Sequence, residues 1–321
     1  MTRFLVSRLL QAIVVLLVMS FLVTALIGLM PGDPVDLMLA GNPHATPADA
    51  ARLRAVYGVD RPPVERYLHW LGGAVQGDFG YSRLFSRPVP EVIGPRLVNT
   101  GILLGAAFLL AVALALPLGV AAARRPWSLA DDAVNLLCFA GISVPPFWLA
   151  LLLILLFAVT LQWLPASGMA PVGGGSWVDG LRHAALPVAT LAIASVGGYT
   201  RYVRSAMLVE LRQDYIRTAR AKGMTERRVV WRHALRNALI PVVTIMALEF
   251  GALFSGALVT ETMFAWPGMG KLIYDSIMGN DYNVALVALL LATAMTLLGN
   301  LLADVAYAAL DPRISFRAEP R

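Results

Sequence analysis

Charge is what this sequence has least of. Lys, Arg, Asp and Glu make up 14% of its 321 residues, where a soluble domain carries about 25%. The hydrophobic share is 58% and the mean hydropathy +0.68, which leaves too little polar surface to enclose a core in water. A water-soluble globule of one or two domains is excluded. Cysteine is almost absent: Cys138 stands alone, so there is no intrachain disulfide and no thiolate metal cage. The four histidines, His44, His69, His183 and His233, fall in separate segments with no ligand-like neighbour three or four residues on, and no metal site is expected. Also missing is the G-x-x-x-x-G-K-[ST] loop that cradles nucleotide phosphates. The nearest string ends in Gly270-Lys271-Leu272, lacks the hydroxyl and has Ala265 where the first glycine belongs. No nucleophile and base pair stands out, so no catalytic residue is assigned.

What the chain does have is long apolar runs. A membrane helix needs about 20 mostly apolar residues to cross some 30 Å of hydrocarbon. Six windows qualify, 9–32, 97–123, 133–164, 184–200, 237–260 and 282–303, and the only Asp, Glu, Lys, Arg or His within them is Glu249. The expected fold is therefore all-α: a polytopic membrane protein of about six transmembrane helices. Residues 1–30 read as an uncleaved first span, because the apolar stretch is longer than a signal core and no small-x-small cleavage site follows. The third window is too long for one straight span and holds Pro145-Pro146. Either the helix breaks there or its first part lies outside the hydrocarbon. The fourth is short and borrows Tyr202 and Val203, with Arg201 and Arg204 reaching towards headgroups. Gly101 and Gly105 form a G-x-x-x-G pair suited to close helix packing within the subunit.

Lys and Arg set the orientation, because inner loops carry the excess. With the N-terminus inside, seventeen of the 26 fall on the inner side: Arg3, Arg8, Arg124, Arg125, ten between Arg201 and Arg236, and Arg313, Arg317 and Arg321. The short outer loops hold only Arg182 and Lys271. Both termini are expected in the cytoplasm. Basicity at pI 9.8 thus has a topological cause, and no nucleic-acid partner is expected.

Residues 33–96 form a polar outer segment after the first span. Thr46 as N-cap, Pro47 at the first helical position, Asp49 in the first turn and Gly58 after Tyr57 mark a short helix. A second starts near Pro63 and carries Val64, Leu68, Leu71 and Val75 on one stripe. The segment is either a passive cap over the bundle or a docking surface for an external partner.

The inner loop holds ten cations against Glu210, Asp214 and Glu226, a net of +7. Its pattern is two helices with a break. The first ends at Gly223, suited to a left-handed C′ position. Thr225 then caps a second with Glu226 at its positive N-terminus. In that helix Arg228, Arg232 and Arg236 share one face, Val230, Ala234 and Ala238 take the other, and Pro241 marks the return to the membrane. One reading is that the cations only enforce topology and bind anionic lipid headgroups.

The wording of the loop points further. D-Y-I-R-T-A-R-A-K-G-M-T-E-R-R-V-V-W-R-H-A-L-R-N-A-L-I-P, Asp214 to Pro241, resembles the cytoplasmic loop of bacterial ABC importer permeases of the dipeptide/oligopeptide/nickel branch. P-G-D-P at 31–34, G-V-D-R-P at 58–62, S-V-P-P-F-W at 143–148, L-P-A-S-G at 164–168, E-T-M-F-A-W-P-G-M-G at 261–270 and L-D-P-R at 310–313 extend the match over nearly the whole chain. In that family the loop is the E-A-A motif, whose coupling helix docks on an ATPase subunit. Here the triplet falls on Arg217, Thr218 and Ala219, without the acidic residue, and the stretch from Gly223 to Pro241 is longer than in the general motif. Both departures resemble the peptide branch.

The resemblance implies an inner-membrane permease subunit that moves short peptides or a similar solute by alternating access. It implies three sets of partners: a second related permease, two ABC ATPase subunits that bind ATP and Mg, and an external solute-binding protein. Membrane lipids surround it, and this chain itself needs no cofactor. The domains would be the first span at 1–32, the outer helical segment at 33–96, and the permease domain at 97–321 with its coupling loop at 201–240. Arg217, Ala219, Ala221, Gly223 and Glu226 are expected at the ATPase contact, with Arg228 and Arg232 as neighbours. Nickel, opines and glutathione are rival cargoes. An alternative of another class is an ion-coupled secondary transporter with Glu249 as coupling carboxylate. A membrane-embedded enzyme would need catalytic groups clustered at one depth, and only Glu249 lies within the windows. Glu249 either lines the path and meets a cationic group of the cargo, or is protonated or paired as structural glue.

Overall fold

The computed structural model describes residues 2–29, 39, 46–57, 62–171 and 173–310. The motifs at 31–34 and 310–313, the helix stop at Gly58 and the C-terminal arginines 313, 317 and 321 lie wholly or partly outside the described residues. The helices are α1 (Thr2–Ile27), α2 (Pro47–Tyr57), α3 (Pro63–Val75), α4 (Val89–Arg124), α5 (Leu129–Ser143), α6 (Pro146–Leu153), α7 (Trp177–Glu210), α8 (Asp214–Ala221), α9 (Glu226–Arg228), α10 (Leu235–Met263), α11 (Met269–Met278) and α12 (Tyr282–Leu310). Two π-helical stretches, Ile154–Thr160 and Val229–Ala234, continue α6 and α9. The only β feature among the described residues is one bridge between Tyr81 and Pro88. The all-α expectation holds.

Among the described residues, four helices are long and apolar enough to cross a membrane: Val6–Ile27, Val89–Arg124, Trp177–Glu210 and Tyr282–Val305. The third window is broken. α5 and the α6 segment meet at 100° and would add one bent crossing. The cause is local. A residue before proline is driven out of the helical region, and here Val144 and Pro145 both precede one, with ψ of 120° and 135°. Pro146 then starts α6, where its missing N–H costs nothing. The window at 237–260 falls on α10, a single helix; the side chains of 247–256, Glu249 among them, lie outside the described residues.

The chain packs as two compact units, 1–98 with 271–294, and 99–270 with 295–321. In the first, Thr46 caps α2 as its sequence requires: its Oγ1 accepts the Asp49 N–H at 3.2 Å, and the Asp49 carboxylate accepts the Thr46 N–H at 3.0 Å. The Thr46 hydroxyl also donates to that carboxylate at 2.7 Å, and this bond, with the one from the Thr46 N–H, holds the Asp49 carboxyl below its ordinary pKa. On α3 the stripe of Val64, Leu68 and Val75 stays exposed. The contact with α1 is made instead by Tyr67, whose hydroxyl meets Ser20 Oγ at 2.8 Å and whose ring takes the edge of Phe21. The loop after α3 is stapled to the α11–α12 turn by Asp281, which accepts from Ser82 Oγ and the Leu84 N–H, and by the Arg83 guanidinium on the Gly279 carbonyl.

The second unit is built on α4, α5, α7 and α10. Where α5 crosses α7, Gly197 permits the approach, because a Cβ there would stand 2.5 Å from the Cys138 carbonyl. The expected packing role of Gly101 and Gly105 is not seen among the described residues, where a Cβ at either would meet nothing within 4 Å. The 261–270 motif folds as a buried turn. Thr100 Oγ1 donates to the fully buried Glu261 carboxylate at 2.5 Å and accepts the Met269 N–H at 2.7 Å. The Trp266 indole N–H donates to the Asn99 carbonyl, and the Gly168 N–H of L-P-A-S-G to the Phe264 carbonyl. A buried carboxylate is costly unless hydrogen-bonded, and this one organises the turn around it.

Candidate functional site

The loop between α7 and α10 folds as an elbow. Residues 211–213 break the chain, so the helix expected to run unbroken towards Lys222 is two helices, α7 ending at Glu210 and α8 starting at Asp214. Tyr215 donates its hydroxyl back to Glu210 across this break. α8 has eight residues, too few to be stable alone in water. Tertiary packing holds it: Ile216 and Ala219, three apart on one face, are buried in a core shared with Val120 and Ala123 of α4, Val203 and Met207 of α7, and Val229, Val230 and Ala234 of the π turn. Asp214 at the start and Arg220 at the end complement the helix dipole.

The elbow closes at Gly223. Its φ is +75°, and a Cβ there would meet nothing within 4 Å, so glycine is required by backbone conformation rather than by space. The Met224 N–H reaches the Ala219 carbonyl at 3.3 Å and the Gly223 N–H the Arg220 carbonyl at 2.9 Å, the paired bonds of a Schellman C-cap. Thr225 occupies the N-cap of α9 with extended backbone, but its side chain caps nothing. The turn is bridged instead by Arg220 and Glu226, Nε to Oε2 at 3.1 Å and Nη2 to Oε1 at 2.8 Å. The guanidinium holds the Glu226 carboxyl below the usual range; partial burial opposes this and Arg124 adds to it.

Of the residues singled out from sequence, Arg217, Ala221, Gly223, Glu226, Arg228 and Arg232 are exposed along this elbow. Ala219 is not. It is 6% exposed and turned into the core, so it seats α8 rather than offering a surface contact. Arg217 pairs with Asp214 at 3.2 Å in the open, a contact worth little. Arg228, Arg232 and Arg236 are all exposed as expected, although the wider π turn at Val229–Ala234 interrupts the four-residue spacing of a regular helix. Pro241 lies inside α10 rather than at its start. Ile216 and Arg220 were not singled out. An apolar pair at i and i+3, and opposite charges flanking a glycine turn, are the signals that mark them. Glu249 lies on α10 with its side chain outside the described residues.

Arg204 departs from expectation. It does not reach for a headgroup but grips the buried Asp131 of α5 with Nε and Nη2, each at 2.6 Å. Asp131 also accepts the Trp127 N–H and an Asn135 amide hydrogen.

The elbow is thus exposed, basic and amphipathic, and seated on a hydrophobic core. Comparison with known proteins identifies its setting. Residues 115–316 match the family described as binding-protein-dependent transport system inner membrane component, and residues 1–88 its N-terminal component. The oligopeptide transport system permease protein AppB of Bacillus subtilis (strain 168) is 41% identical over 98% of this chain and 100% of its own length. The glutathione transport system permease protein GsiC of Salmonella choleraesuis is 41% identical over 99% and 100%. A chain of the MetNI methionine ABC transporter, solved in inward facing conformations, shares the fold with a TM-score of 0.56 at 18% identity, over 68% of this chain and 96% of that one. The chain belongs to the binding-protein-dependent transport system inner membrane component family and is a permease subunit of such a system.

Proposed function

We propose that this permease carries short peptides across the bacterial inner membrane, driven by ATP that partner subunits hydrolyse. The elbow around Gly223 is the observation that carries the reading. Ile216 and Ala219 tie α8 to the same core as α4, α7 and the start of α10, so a displacement of α8 is passed to helices long enough to span the bilayer. Closure of two ATPase subunits around ATP would push on Arg217, Ala221, Gly223, Glu226, Arg228 and Arg232, and the spans would tilt to open the cavity outward to a loaded binding protein. ATP must favour one global state over the other for this to work, since a ligand shifts an equilibrium only by its differential affinity. A second related permease completes the pore, and both termini face the cytoplasm.

The peptide cargo is supported by full-length likeness to AppB; the equal likeness to GsiC keeps glutathione, itself a peptide derivative, as the rival cargo. The test is reconstitution of the chain with a second permease, ATPase subunits and a solute-binding protein of such a system. ATP-dependent uptake of di- to pentapeptides supports the reading, and uptake by this chain alone, abolished by collapsing an ion gradient, would replace it with an ion-coupled transporter. Glu249→Gln separates the two readings of that residue: lost uptake with intact assembly favours a place on the path, whereas normal uptake removes it.

A further inference from the structure

Beside the α5–α7 crossing lies a pocket of about 490 Å³ that the coupling mechanism does not use. One wall is a stripe of α7, Gly198, Arg201, Tyr202 and Ser205, spaced so that all four share a helical face. Asn135 and Ile142 of α5 form the other. Gly198 keeps the floor open, since a Cβ there would have no neighbour within 4 Å.

The polar groups here are unequally committed. Arg204 at the rim is consumed by Asp131, as is an Asn135 amide hydrogen. Arg201 differs. Its guanidinium lies over the Phe139 ring, 4.8 Å from the centroid, and among the described residues no carboxylate is within ion-pair distance of it. Cation stacking orients the side chain and leaves its N–H groups available. The Tyr202 and Ser205 hydroxyls stand within one turn of it. Asp132 is a further carboxylate close enough to Arg204 for the two charges to interact. An arginine and two hydroxyl-bearing residues lining one space suit a tetrahedral oxyanion, which needs several donors at once.

The surroundings decide what carries that oxyanion. Beside the pocket α5 exposes Leu136, Leu137 and Phe139, an apolar surface suited to acyl chains. With Arg201 at the inner end of its span, this is the depth of inner-leaflet phosphates. We propose that the α5–α7 pocket binds a phosphate-bearing anion, the phosphodiester headgroup of an anionic phospholipid, through Arg201, Tyr202 and Ser205. The assignment rests on the orientation read from Lys and Arg. Bound there, the lipid bridges the two helices beside the Asp131–Arg204 pair.

The test uses the full chain purified into nanodiscs of phosphatidylglycerol and phosphatidylethanolamine, with retained lipid counted by native mass spectrometry after detergent dilution. Arg201→Gln should weaken phosphatidylglycerol retention on the order of fivefold or more, the value of one surface cation towards anionic lipid. Gly198→Leu, which fills the pocket without removing charge, should do the same. Arg212→Gln, an exposed arginine away from the pocket, should change nothing. Because misfolding of Gly198→Leu would lower retention as well, the Arg201→Gln result decides: retention equal to wild type overturns the proposal. Millimolar inorganic phosphate is the second arm. If it displaces the lipid from the wild type and binds lipid-free protein equally well, the site takes free phosphate and the lipid assignment is overturned. The orientation is checked separately with Ser205→Cys and a membrane-impermeant maleimide: labelling from the outside sinks the orientation reading and the inner-leaflet placement, while the retention data still judge the phosphate chemistry.

Discussion

Ile216→Ala is the perturbation that separates a rigid elbow from a merely exposed one. Ile216 is fully buried and contributes, with Ala219, the whole buried face of α8. Truncating a buried isoleucine to alanine costs about 2–5 kcal/mol, part lost transfer energy and part cavity. α8 has eight residues and no independent stability to absorb the loss, so the cost falls on its docking to the core. A loss of about 3 kcal/mol lowers the docked-to-undocked ratio roughly a hundredfold. The exposed residues Arg217 and Ala221 are untouched, so partner binding should survive while transmission fails. In proteoliposomes holding the complete importer, uptake per ATP hydrolysed should fall at least fivefold, and the amides of Lys222 and Met224, bonded back to Thr218 and Ala219, should exchange faster. Ile216→Val, worth about 0.5–1.5 kcal/mol, should give a proportionately mild defect. Faster exchange with unchanged coupling would refute the claim that rigidity transmits the stroke. Unchanged exchange would refute the claim that Ile216 holds the helix.

Asp131→Asn should destabilise the chain by about 3–5 kcal/mol by stranding Arg204, towards the low end because the Arg204 side chain keeps 18% exposure; Asp131→Leu combined with Arg204→Met should recover most of the loss in thermal unfolding. The Arg220–Glu226 bridge should protect the Gly223 turn at neutral pH. Because the folded Glu226 value is depressed, that contribution is complete above the unfolded value of about 4.3 and is lost as pH falls through the lower folded one. Amide exchange at 222–226 should therefore rise only below that range, and Glu226→Gln should remove the step. Both partners are nearly half exposed, so global stability should shift by less than about 1 kcal/mol. Gly223→Ala should cost about 1–2 kcal/mol through its left-handed backbone, and Gly223→Asn less, read as lost coupling at unchanged expression.

The sequence was most legible where one residue has one physical use. Pro145-Pro146 forecast the 100° break because proline excludes the helical region for its predecessor, and Gly223 forecast a left-handed C′ residue. The acidic and basic residues at helix ends and the Thr46 cap were readable for the same reason. What escaped depended on partners distant in sequence. Nothing around Ala219 says which face of α8 turns inward, since the core that buries it is assembled from four separate segments. From sequence Arg204 looks like a headgroup seeker, because its partner Asp131, 73 residues away, gives no local sign of pairing. The stripe on α3 has helical periodicity yet lies outward, so periodicity located the helix but not its buried side. The G-x-x-x-G pair failed likewise: small residues permit close approach without requiring it.

The central claim, that the α8–α9 elbow is the handle worked by an ATP-hydrolysing partner, is tested most directly by site-specific cross-linking. A single cysteine at Ala221, exposed on the elbow, is introduced with Cys138→Ala to remove the buried native thiol, and the complex is treated in inside-out vesicles with a short bifunctional reagent. The account predicts a cross-link to the ATPase subunit whose yield changes between nucleotide-free and ATP-bound states, with no labelling from the outer side. Labelling of Ala221→Cys by an impermeant reagent on intact cells, or a fully assembled, transporting complex that never yields the adduct, would contradict it.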